Sequence, residues 1–305
     1  MSQFKEFFSA ICTERLFESN RFIEYTTNVS EYLQGQTIHI PQYNANLTIA
    51  VNGSNFTGPT AFDVTRSFEQ SLSFRVDEYS LSQPFMVSNY DELLTAYSKL
   101  QLETNMAVKQ ITQQIGNTIL NKIAAAVPTS KFVYTTGSEG ANNSPLKNQG
   151  RKKVSYSDIL SIAQKFNEDN LPAEGRYIVM EPQLYRELLS DPAVISFLNF
   201  GEATLPTGVV REVGGINIIV KPSVAIASSS GTVNAIGDTT LATDNFAALA
   251  FHTECLVRGD SGPIVFTEAG NAFKRGNICN ITWFLSVVNP RQGLDDAGVY
   301  LLVQD

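Results

Sequence analysis

The chain has 305 residues, 43% of them hydrophobic and only 17% charged, with a formal net charge of −8. An acidic balance of that size repels a phosphate backbone, so the chain does not wrap nucleic acid by its own field. Three cysteines, Cys12, Cys255 and Cys279, lie far apart with no C-x-x-C, which gives a zinc site no support and fits reduced thiols made in a cytosol.

Residues 1–33 begin MSQFKEFFSAICTERL, with Glu6 and Glu14 where a signal peptide needs an apolar run. No stretch approaches the ~20 apolar residues of a membrane span. Phe4, Phe7, Phe8 and Ile11 share one helical face. The segment is too short to fold alone, so that face must land on its own subunit or a neighbour.

From Gln34 to Phe85 the texture is strand. Gln36-Thr37-Ile38-His39-Ile40-Pro41 alternates, and Thr48-Ile49-Ala50-Val51 follows. Asn52-Gly53-Ser54-Asn55 and Gly58-Pro59 mark a tip. The return limb carries Phe68, Leu72, Phe74, Val76 and Tyr79, with polar residues between. A hairpin alone is marginal in water, so one this long needs a surface to lie on.

Ser88 to Val127 is the longest regular element. Leu93, Tyr97, Leu100, Val108, Ile111, Ile115, Ile119 and Ile123 recur at spacings of three and four, which predicts one helix roughly 55 Å long. Ser88 or Asn89 is the candidate N-cap, and Asp91 and Glu92 suit the first turn. Pro128 ends the helix. Gly116 is an interior defect of about 1 kcal/mol against Ala. The polar residues between predict one apolar stripe and one wet side, a girder across a sheet or along a subunit.

Thr135 to Lys153 has no apolar period and reads as a loop. It ends in Arg151-Lys152-Lys153, the one basic cluster, a solvated loop end or a contact to an acidic neighbour. Ser155 to Asn170 predicts a helix with Ser155 as N-cap and a stripe of Ile159, Ile162, Ala163 and Phe166. Tyr177 to Met180 is a buried strand, Glu181-Pro182 opens a short helix, and Gly214-Gly215 turns into the strand Ile216 to Val220. Residues 155–255 therefore form an α/β lobe. Strands Ala247 to Val257, Ile278 to Val288 and Val299 to Val303 are expected to supply the sheet beneath the long helix.

Chemistry is scarce. Gly259-Asp260-Ser261-Gly262-Pro263 resembles the nucleophile motif of chymotrypsin-like proteases, one Gly short. A serine hydrolase using Ser261 would need a His base and a carboxylate behind it, and only His39 and His252 exist. His252 shares a strand face with Glu254, with Cys255 turned away. No phosphate-binding glycine loop follows a strand. No catalytic residue, cofactor or metal is expected.

At residues 171–224, "LPAEGRYIVMEPQLYRELLSD" and "GVVREVGGINIIVKPSV" resemble the central lobe of tailed-phage major capsid proteins. Pro172, Gly175, Arg176, Pro182, Tyr185, Leu188, Leu189, Asp191, Gly208, Gly214 and Ile218 occupy the family's positions. "LQGQTIHIPQY" resembles the family's entry strand, and "SFEQSLSFRVDEYSLSQPFMVSNYDELLTAYSKLQ" its return strand into the spine helix.

The resemblance implies the α+β Hong Kong 97-like capsid fold. Its parts map to an N-terminal arm (1–33), an extended E-loop hairpin (34–88) and a P-domain spine helix with the following loop (89–154). An A-domain (155–257) and return strands to the P-domain (258–305) complete it. The implied function is an icosahedral shell of hexamers and pentamers around the DNA of a tailed phage, assembled in the bacterial cytoplasm. The implied partners are the chain itself, a separate scaffolding protein, a portal, decoration or head-completion proteins, and DNA held weakly. An encapsulin-like nanocompartment shares the fold and is the alternative. Asn52, Gly53, Asn55, Phe56, Gly58 and Pro59 at the tip, with Arg151, Lys152 and Lys153, are the candidate contacts between subunits.

Overall fold

A computed structural model describes residues 20–44, 68–88, 99–139, 151–195, 211–228, 231–235, 244–271, 273, 275–291 and 298–305. One helical turn, α1 (Arg21–Glu24), leads to β1 (Thr27–Asn28), a 3-10 turn at Ser30–Tyr32 and β2 (Leu33–Gln34). The limbs β3 (Thr37–Asn44) and β4 (Phe68–Arg75) pair antiparallel from Thr37↔Arg75 to Asn44↔Phe68. Then come β5 (Glu78–Ser80), β6 (Phe85–Ser88), the long helix α2 (Lys99–Ala126) and β7 (Phe132–Tyr134). The α/β lobe holds α3 (Tyr156–Glu168), β8 (Arg176–Met180), α4 (Pro182–Leu189), β9 (Glu212–Val213), β10 (Ile216–Val220), β11 (Ala225–Ser228) and β12 (Asp244–His252). The strands β13 (Val257–Asn271), β14 (Gly276–Val288) and β15 (Val299–Val303) follow.

Three sheets result among the described residues. One runs β1-β13-β14-β5, with β6 also on β14; the second runs β7-β15-β12-β8-β10-β9, with β11 also on β12; the hairpin sheet is β2-β3-β4. Every residue of β12 is buried, as a strand covered on both faces requires. β8 and β10 pair in parallel, which needs a crossover, and α4 lies within it.

The described part of α2 has 28 residues, about 42 Å at ~1.5 Å per residue. Residues 89–98 lie outside the described set, so Asn89, Asp91 and Glu92 are not placed. Ser88 ends β6 opposite Gly276, and the residues that would follow it into the helix lie outside the described set. The predicted stripe is real in its second half, where Ile111, Ile115, Ile119 and Ile123 are buried with Leu120 and Ala124. They pack into a core continuous with both large sheets.

Gly116 is a requirement rather than a defect. A Cβ there would occupy the space of the Asn20 side chain, whose amide donates to the Thr112 carbonyl. The segment entering at Asn20 is thus seated against the helix backbone. The polar side of α2 is not all wet either. Lys221 Nζ donates to Asn117 Oδ1 at 2.7 Å, and Asn121 Nδ2 to the Asn234 carbonyl at 2.6 Å. These bonds tie the girder to the α/β lobe as well as to β14.

Two expectations need correction. β12 and β15 do not lie under the long helix with β14; both belong to the seven-stranded sheet, where β15 sits between β12 and β7. Val299 to Val303 therefore completes the lobe begun at residue 155 instead of returning with 258–288. All five of its residues are buried, a pattern that any central strand satisfies.

Candidate functional site

The 172–191 motif is built around Arg176, which is buried. Its Nε donates to the Pro172 carbonyl at 2.8 Å, and Nη2 to the Leu171 carbonyl at 2.7 Å and Asn167 Oδ1 at 2.8 Å. The guanidinium lies over the Phe166 ring. It satisfies carbonyls of the loop just beyond the C-terminal end of α3, where a cation also suits the macrodipole. Burial lowers its pKa. Gly175 turns the chain at φ +81°, and its carbonyl accepts from Thr253 N–H at 2.9 Å.

Pro182 opens α4 at its first turn, where a missing N–H costs nothing. Leu188 is buried, with Tyr185 and Leu189 packed beside the core. Asp191 accepts from Tyr156 N–H at 2.7 Å, joining the end of α4 to the start of α3. Gly214 and Gly215 both have positive φ in the tight turn from β9 to β10, as a type I′ hairpin requires. These residues shape the lobe, and Ile218 lies in β10. Gly208 is outside the described residues.

Ser261 sits in a β-bulge of β13, between the pairs Asp260↔Leu285 and Pro263↔Trp283. Its hydroxyl donates to the Gly262 carbonyl at 2.9 Å and accepts from Phe284 N–H at 3.2 Å. Asp260 accepts from Gly262 N–H at 2.7 Å and from the Trp283 indole at 2.6 Å. Gly259 is glycine because the Ile38 side chain fills the place of its Cβ. His252 lies in the other sheet with both ring nitrogens engaged: Glu254 N–H donates to Nδ1 at 3.2 Å, so Nε2 carries the proton to the Glu174 carbonyl at 2.9 Å. The motif is a bulge that seats the hairpin base, and the hydroxyl of its serine is held by the Gly262 carbonyl and the Phe284 N–H.

The basic cluster does not form one patch. Arg151 is 4% exposed, and its guanidinium donates to the Asp244 carbonyl. Burial lowers its pKa to about 10 against the opposing pull of Asp244 and Glu187. Lys152 donates to Asp305 Oδ2 at 2.6 Å. Arg151 is therefore withdrawn as a surface contact: the two acidic residues that draw it inward are 93 and 36 positions away. The tip candidates Asn52, Gly53, Asn55, Phe56, Gly58 and Pro59 lie outside the described residues.

Sequence reasoning missed Glu181, the N-cap residue of α4, which is 8% exposed. Burial pushes its carboxyl from the ordinary 4.5 up to about 7, against a hydrogen bond from the Val224 backbone. Between those values the folded chain holds a proton that the unfolded chain has released. Stability therefore falls as pH rises through this window and levels off above it. Glu181→Gln is expected to stabilise the subunit at pH 8 by up to about 3 kcal/mol and to have no effect near pH 4. Thermal midpoints across that range check it; an equal effect at both ends would rule out titration as the cause.

A family model described as phage capsid protein matches residues 92–300. The chain belongs to the phage capsid protein family. Solved structures of similar fold include the capsid of cyanophage P-SCSP1u, 16% identical with a TM-score of 0.66, covering 97% of this chain and 91% of that one. Mycobacterium phage Che8 gives 15% identity and a TM-score of 0.62, with 96% and 94% covered. The holo-SrpI encapsulin complex from Synechococcus elongatus gives 10% and 0.61, with 98% and 92% covered. No curated protein matches by sequence. The fold is that of Hong Kong 97-like capsids, and this capsid protein is a structural shell subunit, not an enzyme. It self-associates into a shell, and its place is the virion capsid.

Proposed function

We propose that this subunit forms the hexamers and pentamers of the icosahedral shell enclosing the double-stranded DNA of a tailed phage. A separate scaffolding protein, a portal, and decoration or head-completion proteins act with it, and assembly takes place in the bacterial cytoplasm. The observation that carries this reading is the hairpin. Among the described residues, β3 and β4 form a sheet with only the two-residue β2 beside them. At their base Ile38 and Val76 are buried, whereas further along His39 and Ser73 are exposed and Ile40 and Phe74 half-buried. A ladder that leaves its own subunit in this way is stable when a neighbour lies beneath it.

Contacts to DNA are few and independent of base sequence. The net charge of −8 opposes them, and two residues of the one basic cluster, Arg151 and Lys152, are engaged by Asp244 and Asp305. Negative-stain images of the purified protein are expected to show rings and closed shells, and native particles are expected to contain DNA. A protein that stays monomeric at every concentration would overturn the shell. Particles filled with enzyme in place of DNA would move the reading to a nanocompartment.

A further inference from the structure

A cleft of about 290 Å³ opens where the return limb of the hairpin joins the body of the subunit. That volume lies near the lower end of the range for small-ligand pockets. The end of α2 supplies Ile123 and Ala126 to its wall, and Val127 and Pro128 follow. β14 supplies Val287 and Val288, and β15 adds Val299. These walls are hydrocarbon, so an apolar group that displaces water from them is favoured.

The polar part of the lining carries charge. Arg75 ends β4, Asp77 follows two residues on, and Lys122 comes from α2. Asp77 is already engaged: its carboxylate accepts from Lys122 Nζ at 2.5 Å and from Ser286 Oγ at 3.4 Å. The charge of Arg75 is not. Its Nε and Nη2 donate to Gln36 Oε1 at 3.1 and 2.6 Å, which is a neutral acceptor. Among the described residues no carboxylate forms an ion pair with this guanidinium, and Nη1 has no protein acceptor. Two cations against one carboxylate leave this cleft with a surplus positive charge, in a chain whose net charge is −8.

We infer that this cleft binds a small amphipathic anion, an alkyl carboxylate of modest length, with its tail against the valines and its head on Arg75. A guanidinium presents planar N–H donors that match a carboxylate, and such charge-assisted bonds are the strong ones. The tail supplies the apolar burial that an inorganic anion lacks. The bound molecule touches the last residue of the return limb on one side and the end of α2 on the other. It therefore steadies the root of the hairpin against the girder. The inference concerns the free subunit, and it holds whether or not the hairpin lies on a neighbour.

The test is a calorimetric titration of the full chain, as free subunit, with octanoate. One saturable site per chain is expected, and a thermal midpoint that climbs with octanoate concentration, because only the folded state has the cleft. Octanol carries the same tail without the charge, and inorganic phosphate the charge without the tail. Each is expected to bind at least tenfold more weakly. Arg75→Gln, at an exposed position, and Ala126→Phe, which fills the cleft, are each expected to weaken octanoate binding at least tenfold. Melting curves without ligand show that each variant is folded, and Arg75→Gln decides alone if the larger side chain at 126 unfolds the end of α2. No saturable binding to the parent, octanol or phosphate binding as tightly as octanoate, or equal octanoate affinity in the parent and Arg75→Gln would overturn the site.

Discussion

Deletion of Asn52 to Pro59 is expected to leave a soluble, folded subunit that makes no closed shells. The described fold explains the separation of effects. The hairpin base is held by Ile38 against Gly259 and by Val76, both far from the deleted tip. The continuous core draws on α2, β14 and the seven-stranded sheet, and among the described residues none of it comes from β3 or β4. Far-ultraviolet circular dichroism and the melting curve of the free subunit should match the parent. Sedimentation and negative-stain imaging should find no particles. Normal particles from the deleted chain would mean that the hairpin serves some purpose other than joining subunits.

Arg176→Met should unfold the α/β lobe more readily than any surface change. The substitution keeps much of the aliphatic stem and leaves the carbonyls of Pro172 and Leu171, with Asn167 Oδ1, without their donor. Hydrogen bonds to a charged group contribute about 1.5–3 kcal/mol each, and stranded buried acceptors add their desolvation cost. A loss of about 3 kcal/mol or more is expected, or a thermal midpoint lower by roughly 6–12 °C. Arg176→Lys should recover only part of it, because an ammonium cannot present a planar fork to several acceptors at once. A variant that melts within about 1 °C of the parent would show that the loop is held by its glycine and proline alone.

Local pattern carried much of this architecture. The isoleucine spacing of α2, the stripe and N-cap of α3, the proline start of α4 and the paired glycines before β10 are properties of neighbours in sequence. Each is set by one period or one turn type. What stayed hidden depends on residues far apart. Gly116 reads as a weak point until Asn20, from 96 positions earlier, is placed against it. Arg151 reads as a loop charge until Asp244 and Glu187 draw it inward. Gly259 and Ser261 look like catalytic furniture until Ile38 and Phe284 take up their space and hydrogen bonds. The run Val299 to Val303 announces a buried strand, but an apolar strand fits the middle of either sheet, and its register with β7 and β12 decides the matter. Glu181 gave no signal, since a carboxylate before Pro182 is ordinary at a helix start and only tertiary burial makes it unusual.

The position of β15 also governs when the subunit becomes whole. Its neighbours in the seven-stranded sheet are β7, beginning at Phe132, and β12, beginning at Asp244. During synthesis both of those strands leave the ribosome with a gap between them, and the gap is closed only by residues 299–303. Loop closure across more than 160 positions is slow compared with local helix formation. Until it happens, β7 has no strand on that side and the matching edge of β12 is unpaired. A nascent chain therefore cannot offer a finished lobe to a growing shell, however early its hairpin and spine helix take form.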